Sequence, residues 1–412
     1  MDKDAQRNLR GYESVTILKQ FLSHTLMLPK LAQLSPISKS VLQAIEERWQ
    51  QALPFFRKRG HILFLSDRYR FWDTFGFVQQ SLAKTLVDYG VRVTWLDGMS
   101  WKRYRPLVSL ASPLLEVKQL QCPPGRRLKS IDALSVRWQS QQIKKICSES
   151  NPLIWVQGSL DERVAERCEN IDVYSVFDDA FLHQPGEALT EKVKLILNQN
   201  TFSDDLFQSS YPGKSLVALP PVELHDHVFH VDSPWNLVPS NFPKKIMGYL
   251  GAFFPEGFDF TLLKQFVTQM PDWGFVFVGR TNPNGMAVIR ELQKHSNFFY
   301  KDWMPREKLS SLWKLLDVNL MLYRDCRANS GAFPVKILEA MYFGVPSVAT
   351  QVPKTSSLEG VIPLSNSFGE LSHLAKAEAI LRKDQSTLFE SLFYEMHPKI
   401  HLARVAERLA LG

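Results

Sequence analysis

The pattern that most restricts this chain is an alternation that occurs twice. From residue 61, short apolar runs rich in β-branched and aromatic residues flank an amphipathic stretch. "HILFLSD" (61–67) and "VRVTWLD" (91–97) enclose "FVQQSLAKTLVDYG", in which Phe77, Leu82, Leu86 and Tyr89 recur at helical spacing. "PLIWVQG" (152–158), "IDVYSVFDD" (171–179), "VKLILNQ" (193–199) and "SLVALPP" (215–221) continue it, with polar or helical segments between. A strand with one wet face would alternate apolar and polar residues, so near-continuous apolar runs predict parallel strands covered on both faces.

After the proline-marked connection "PWNLVPSNFPKK" the alternation restarts. "IMGYLGAF" (246–253), "GFVFVGR" (274–280), "NFFYKDW" (297–303), "VNLMLYR" (318–324) and "PSVAT" (346–350) read as strands. "FDFTLLKQFVTQM", "MAVIRELQKH", "REKLSSLWKLL" and "PVKILEAMYF" read as the helices between them. A chain of 412 residues exceeds one ordinary core at about 150 residues per domain. The reading is therefore α/β: two doubly wound, Rossmann-like domains, 61–235 and 236–385, facing a central cleft, with no short internal repeat. Residues 1–60 form a helical extension, with Val41, Ile45, Trp49 and Leu53 about four apart on a face that suits packing or a membrane surface. The helical C-terminus, 386–412, is expected to join the first domain.

Composition removes several classes. No apolar run reaches the roughly 18 residues of a membrane span, and "MDKDAQRNLRGYES" lacks the pattern of a secretory leader, so a cytoplasmic protein is expected. Cys122, Cys147, Cys168 and Cys326 form no close pair and read as reduced, structural thiols. The net charge of +7 suggests polyanionic company: nucleic acid, an anionic membrane face or phosphorylated ligands. The basic clusters "WKRYRP" (101–106) and "PPGRRLKS" (123–130) sit in no nucleic-acid motif, which leaves a solvated surface or a patch for the cytoplasmic membrane face.

The segment "GAFPVKILEAMYFGVPSVAT" (331–350) carries the most chemistry. Pro334 suits a first helical position and Gly344 the residue past a helix end. Lys336 then lies in the first turn, where the helix dipole disfavours a cation unless an anion joins it. Glu339, three residues on, shares an edge with it. The pair is either a salt bridge or a lysine on a diphosphate with a glutamate on a ribose hydroxyl.

This segment resembles the donor-site motif of GT-B glycosyltransferases, from Pro334 to Thr350. The likeness extends back through "YLGAF", "FVFVGR" and "NFFYKDWMPREKLSSLWKLLDVNLMLYR", and into the first domain through "FVQQSLAKTLVDYGVRVTWLDG" and "VYSVFDDAF", over roughly residues 60–385. Within that fold the chain resembles bacterial polysaccharide-type enzymes, either GT4-like or inverting exopolysaccharide glucuronosyltransferase-like. The resemblance implies a hexosyltransferase that takes a nucleotide-sugar, most simply a UDP-sugar, as substrate and passes its sugar to a glycan or lipid-linked saccharide. It implies no metal, no other cofactor and no nucleic-acid partner.

Position by position, it implies that Lys336 neutralises the donor diphosphate, helped by Tyr323 and Arg324, and that Glu339 binds ribose or sugar hydroxyls. Trp303 and Met304 fall where the family wraps the base. Gly251 and Gly279, with Arg280 beside the second, fall at strand ends where backbone can approach phosphate. Retaining relatives keep a second Glu where this chain has Gly331, and inverting relatives use an Asp that matches Asp178, beside Asp179. Asp178 is thus the candidate base, with helix capping as the alternative. "HDHVFH", with His225, His227 and His230, falls in the inter-domain connection and reads as an irregular loop before it reads as a metal site. "SDRYRFWD" (66–73) offers Arg68 and Asp73 to an acceptor, or to solvent. A nucleotide-sugar epimerase and a non-catalytic binding protein on the same fold remain the alternative functions.

Overall fold

A computed structural model describes residues 37–66, 78–100, 112–121, 129–157, 160, 162–176, 186–222, 224, 238–304, 306–329 and 332–411. The chain divides into two compact units, 1–36 and 37–412, and every described residue belongs to the second.

Helix α1 (Lys39–Arg59) opens the described chain. The Ser38 hydroxyl accepts from the Val41 amide at its start, and Gly60, at φ +70°, ends it with an N–H bonded to the Phe56 carbonyl. Its buried face, Ile45, Trp49, Ala52, Leu53 and Phe56, makes the expected amphipathic stripe a packing surface. There follow β1 (His61–Leu65), α2 (Val78–Asp88), β2 (Arg92–Ser100), β3 (Leu115–Gln121), α3 (Lys129–Ser150), β4 (Leu153–Gln157) and α4 (Glu162–Ala165). The run continues through β5 (Ile171–Ser175), α5 (Glu187–Thr190), β6 (Val193–Asn198), α6 (Thr201–Ser210) and β7 (Ser215–Val217). The strands form one parallel sheet in the order β3-β2-β1-β4-β5-β6-β7.

Strand β3 was not legible as an apolar run. It lies at the sheet edge, paired only with β2, and there Glu116 and Lys118 replace apolar residues and pair with each other at 2.9 Å. The inner strands fit the expectation: every residue of β1, β4 and β5 is buried.

The second sheet is built from β8 (Lys245–Leu250), α7 (Phe260–Gln269), β9 (Trp273–Val278), α8 (Pro283–Leu292), β10 (Phe298–Lys301), α9 (Arg306–Leu315), β11 (Val318–Met321), α10 (Lys336–Tyr342), β12 (Ser347–Ala349) and α11 (Phe368–Lys376). Its parallel order is β10-β9-β8-β11-β12. The direction of winding reverses between β8 and β11, so the loops leaving their carboxyl ends flank a topological switch point, where such sheets open a crevice.

Helices α12 (Glu378–Glu395) and α13 (Pro398–Leu411) come last among the described residues. Phe389, Leu392, Phe393 and Met396 join the core of the second sheet, whereas Leu402, Ala403, Val405 and Ala406 join that of the first. The return to the first sheet therefore falls inside α13, between Ile400, still in the second core, and Leu402, in the first; Pro398 suits the first helical position there and ends the preceding helix. At this crossing the Val222 amide, on the outgoing connection, donates to the Met396 carbonyl at 2.8 Å. Cys147, Cys168 and Cys326 carry free thiols, as expected.

Candidate functional site

The site is assembled from loops at the carboxyl ends of β8, β9, β11 and β12. The segment 332–350 folds nearly as its residues dictate. Helix α10 starts at Lys336, two residues later than Pro334 suggested, because the Ile337 and Leu338 amides bond three residues back to Pro334 and Val335 and tighten the entry. Gly344, at φ +65°, closes the helix, its amide bonded to the Met341 carbonyl. Ile337, Leu338 and Met341 are buried against the sheet.

Lys336 and Glu339 meet in the structure: Nζ donates to Oε2 at 2.8 Å, with the glutamate 7 % exposed. The salt-bridge alternative is realised, but not on an open surface. The pair lies in a half-buried recess where charge is costly unless compensated. The Glu339 carboxylate also lies near Tyr249. Burial, first, pushes the Tyr249 phenol above its usual range and Glu339 adds to this, while the hydrogen bond to Tyr323 opposes it.

Tyr323 follows β11. Its hydroxyl is 3.3 Å from that of Tyr249, its amide donates to Thr350 Oγ1 at 2.7 Å, and burial holds its phenol well above the usual value. It is a wall of the site, neutral near pH 7, and not an exposed donor. Arg324 beside it is exposed, and its Nη1 donates to the Pro255 carbonyl at 3.0 Å. That bond, with those from Asn329 Nδ2 to the carbonyls of Gly257 and Arg324 (2.9 and 2.8 Å), locks the β8 loop to the β11 loop across the switch point.

A cation that the motif did not reveal joins them. Lys354 follows β12, in the turn Pro353–Leu358; its ammonium stands 4.5 Å from the Tyr323 ring centroid and 3.4 Å from Asn329 Oδ1. Only its place just past a strand of the same sheet edge could have pointed to it. Lys354 and Arg324 thus stand at the end of β11, and the Lys336–Glu339 pair reaches the same end through Tyr249, whose hydroxyl is 3.3 Å from that of Tyr323. Such a set suits a diphosphate carrying a hydroxylated group.

The glycines have internal reasons. A Cβ on Gly279, at φ +151°, would lie 1.9 Å from the Gly251 carbonyl oxygen, so the loops after β8 and β9 touch backbone to backbone. The Gly251 amide donates to the Val278 carbonyl, and the Phe253 amide to that of Arg280, whose side chain is exposed. Trp303, past β10, is 48 % exposed and presents an aromatic face at the rim. Met304 is buried with Leu312 and Trp313. Asp178, Asp179, Arg68, Asp73, Gly331 and the histidines 225, 227 and 230 lie outside the described residues. Among the described residues no three His, Cys, Asp or Glu side chains cluster as metal ligands, and no helix is long and apolar enough to cross a membrane.

The C-terminal edge of the first sheet meets this place directly. Asn200, fully buried after β6, donates through Nδ2 to the Ala332 carbonyl at 3.0 Å and lies 3.5 Å from that of Pro353.

Residues 244–367 match the family described as glycosyl transferases group 1. The chain is 30 % identical over 114 residues to the putative teichuronic acid biosynthesis glycosyltransferase TuaH of Bacillus subtilis, covering 28 % of either chain. The chain thus spans little more than a quarter of that relative. Among solved structures it is similar to Anabaena HepE in complex with UDP and glucose, with a TM-score of 0.62 at 14 % identity, over 85 % of this chain and 100 % of that one. It is likewise similar to the sucrose-phosphate synthase of Thermosynechococcus elongatus, with a TM-score of 0.59 at 13 % identity, over 85 % and 94 %. At these identities the structural likeness establishes the fold, which is GT-B.

Proposed function

From a GT-B chain whose residues 244–367 carry a glycosyl transferases group 1 domain, we infer a glycosyltransferase that moves a hexosyl group from a UDP-sugar to a glycan or lipid-linked saccharide. The observation that carries the reading is the Lys336–Glu339 ion pair, 2.8 Å long, at the start of α10 inside the matched domain. In the free protein the two charges satisfy each other. A donor diphosphate offers Lys336 a stronger partner at the positive end of the helix and releases Glu339 toward a ribose or sugar hydroxyl.

Lys354 and Arg324 add positive charge on the diphosphate side, and Trp303 offers the base a stacking face. An acceptor oxygen attacks the anomeric carbon, the bond from that carbon to the diphosphate oxygen breaks, and UDP departs carrying the electron pair. Lys336 and its neighbouring cations stabilise that leaving charge, so the step requires no metal. Asp178, three residues beyond β5 in the sequence, is assigned to take the acceptor proton, which gives inversion at the anomeric carbon. The chain's charge of +7 supports work at an anionic cytoplasmic membrane surface, where lipid-linked acceptors are presented.

Titration calorimetry with UDP, ADP, GDP and uridine tests the donor site, and release of UDP from a panel of UDP-sugars tests turnover. UDP binds and at least one UDP-sugar is slowly hydrolysed, faster once a saccharide acceptor is added. Absence of nucleoside diphosphate binding refutes the reading. Asp178→Asn keeps UDP binding and lowers turnover by about 10²–10⁴-fold.

A further inference from the structure

The Asn200 side chain belongs to the first sheet, yet its two carbonyl neighbours are both on the second. Ala332 lies four residues before Lys336 and Pro353 immediately precedes Lys354. Both neighbours are backbone oxygens, which only accept, so the amide nitrogen must face them. A primary amide places two N–H groups on one atom, and two carbonyls can use both. Asn200 and Ala332 are buried, so water does not compete for the bond between them, whereas the longer contact with Pro353 is half-buried. Helix α6, which starts at Thr201, packs on the turn Pro353–Leu358 and reinforces the contact.

We propose that Asn200 is a positioning residue for the donor diphosphate: from the opposite half of the cleft it holds the two loops that deliver Lys336 and Lys354. This rests on the donor-site reading above. Asn200 itself touches no reacting atom. When the halves are together, its two bonds fix the distance between the loops, and thereby the two cations. When they are apart, Lys336 and Lys354 keep their own loops but lose the tie that registers them. Diphosphate affinity is then coupled to contact between the halves, whereas affinity for the nucleoside portion, set by the far side of the second sheet near Trp303, is not.

The test compares UDP with uridine in the full chain, by calorimetry, for wild type, Asn200→Asp and Asn200→Ser. The Asp variant has the same size but only accepts, so it faces two carbonyls without a proton to share. The Ser variant keeps one donor and serves if the Asp variant does not give a native circular dichroism spectrum. Asn200→Asp weakens UDP about tenfold or more and leaves uridine within twofold; Asn200→Ser weakens UDP less, with uridine again unchanged. Unchanged UDP affinity, or equal losses for UDP and uridine, overturns the assignment, because a merely structural residue would spare both ligands or weaken both alike. A wild-type protein that binds neither ligand removes the donor-site reading itself and this inference with it.

Discussion

Replacing Lys336 by alanine separates its two partners, the carboxylate it holds and the diphosphate it is assigned to. Without ligand, the substitution deprives Glu339 of its cation inside a recess. Breaking a fully buried pair costs about 3–5 kcal/mol; with 24 % of the Lys336 side chain exposed, the cost is taken as about 2 kcal/mol. For a unit of this length that lowers the melting temperature by roughly 2–4 °C. With ligand, UDP at 100 times its dissociation constant stabilises the wild type by about 2.7 kcal/mol. Losing one charge-assisted contact weakens binding by about 10–100-fold. At the same UDP concentration the stabilisation then shrinks to about 0.4–1.4 kcal/mol.

Differential scanning fluorimetry with and without UDP reads both effects. The double variant Lys336→Ala/Glu339→Ala divides them: removing the stranded carboxylate recovers most of the melting temperature and none of the UDP response. A double variant with a wild-type UDP shift would falsify the role of Lys336, reducing the pair to a structural salt bridge.

Other expectations follow the same logic. Glu339→Gln removes the competitor for Lys336, so UDP binds several-fold more tightly in calorimetry while release of UDP from a UDP-sugar slows. Gly279→Ala puts a Cβ 1.9 Å from the Gly251 oxygen at φ +151°; it costs about 1–3 kcal/mol in backbone strain plus the displacement of the β8 loop, and chemical denaturation should show at least that loss. His401 is fully buried in α13, where burial, above all, pulls its pKa from 6.5 to about 4, opposed by its hydrogen bond with the Leu219 carbonyl. The unfolded chain then binds the proton more readily, so stability is full above about pH 6.5 and falls as pH drops toward 4. Between pH 7 and pH 5 the loss is about 2 kcal/mol, and urea unfolding of His401→Gln should show a shallower acid dependence.

The second sheet was the more legible half because its strands are short, apolar and punctuated by glycines whose backbones must turn or touch. Gly344 and Gly279 behave as local rules require. Strand β3 escaped because an edge position tolerates charge, and helix α3 was lost with it. The candidate site was legible where local spacing decides, as for Lys336 and Glu339, whose separation on a helix brings them together. It was less so where the third dimension decides. Tyr323 looked like a polar contributor at a strand end and is a buried wall, because Tyr249, from another strand, covers it. Lys354 and Asn200 were invisible because each acts on loops distant along the chain.

One consequence of the double crossing between the sheets concerns how the molecule is made. The core beneath β1, β4 and β5 is completed by Leu402, Ala403, Val405 and Ala406 of α13, which is synthesised only after the whole second sheet. While the ribosome extends the chain, the amino-terminal half is exposed with an uncapped apolar face and cannot finish folding in the usual N-to-C order. A truncation after the first sheet would therefore yield an aggregation-prone fragment, to be rescued by supplying α13 in trans.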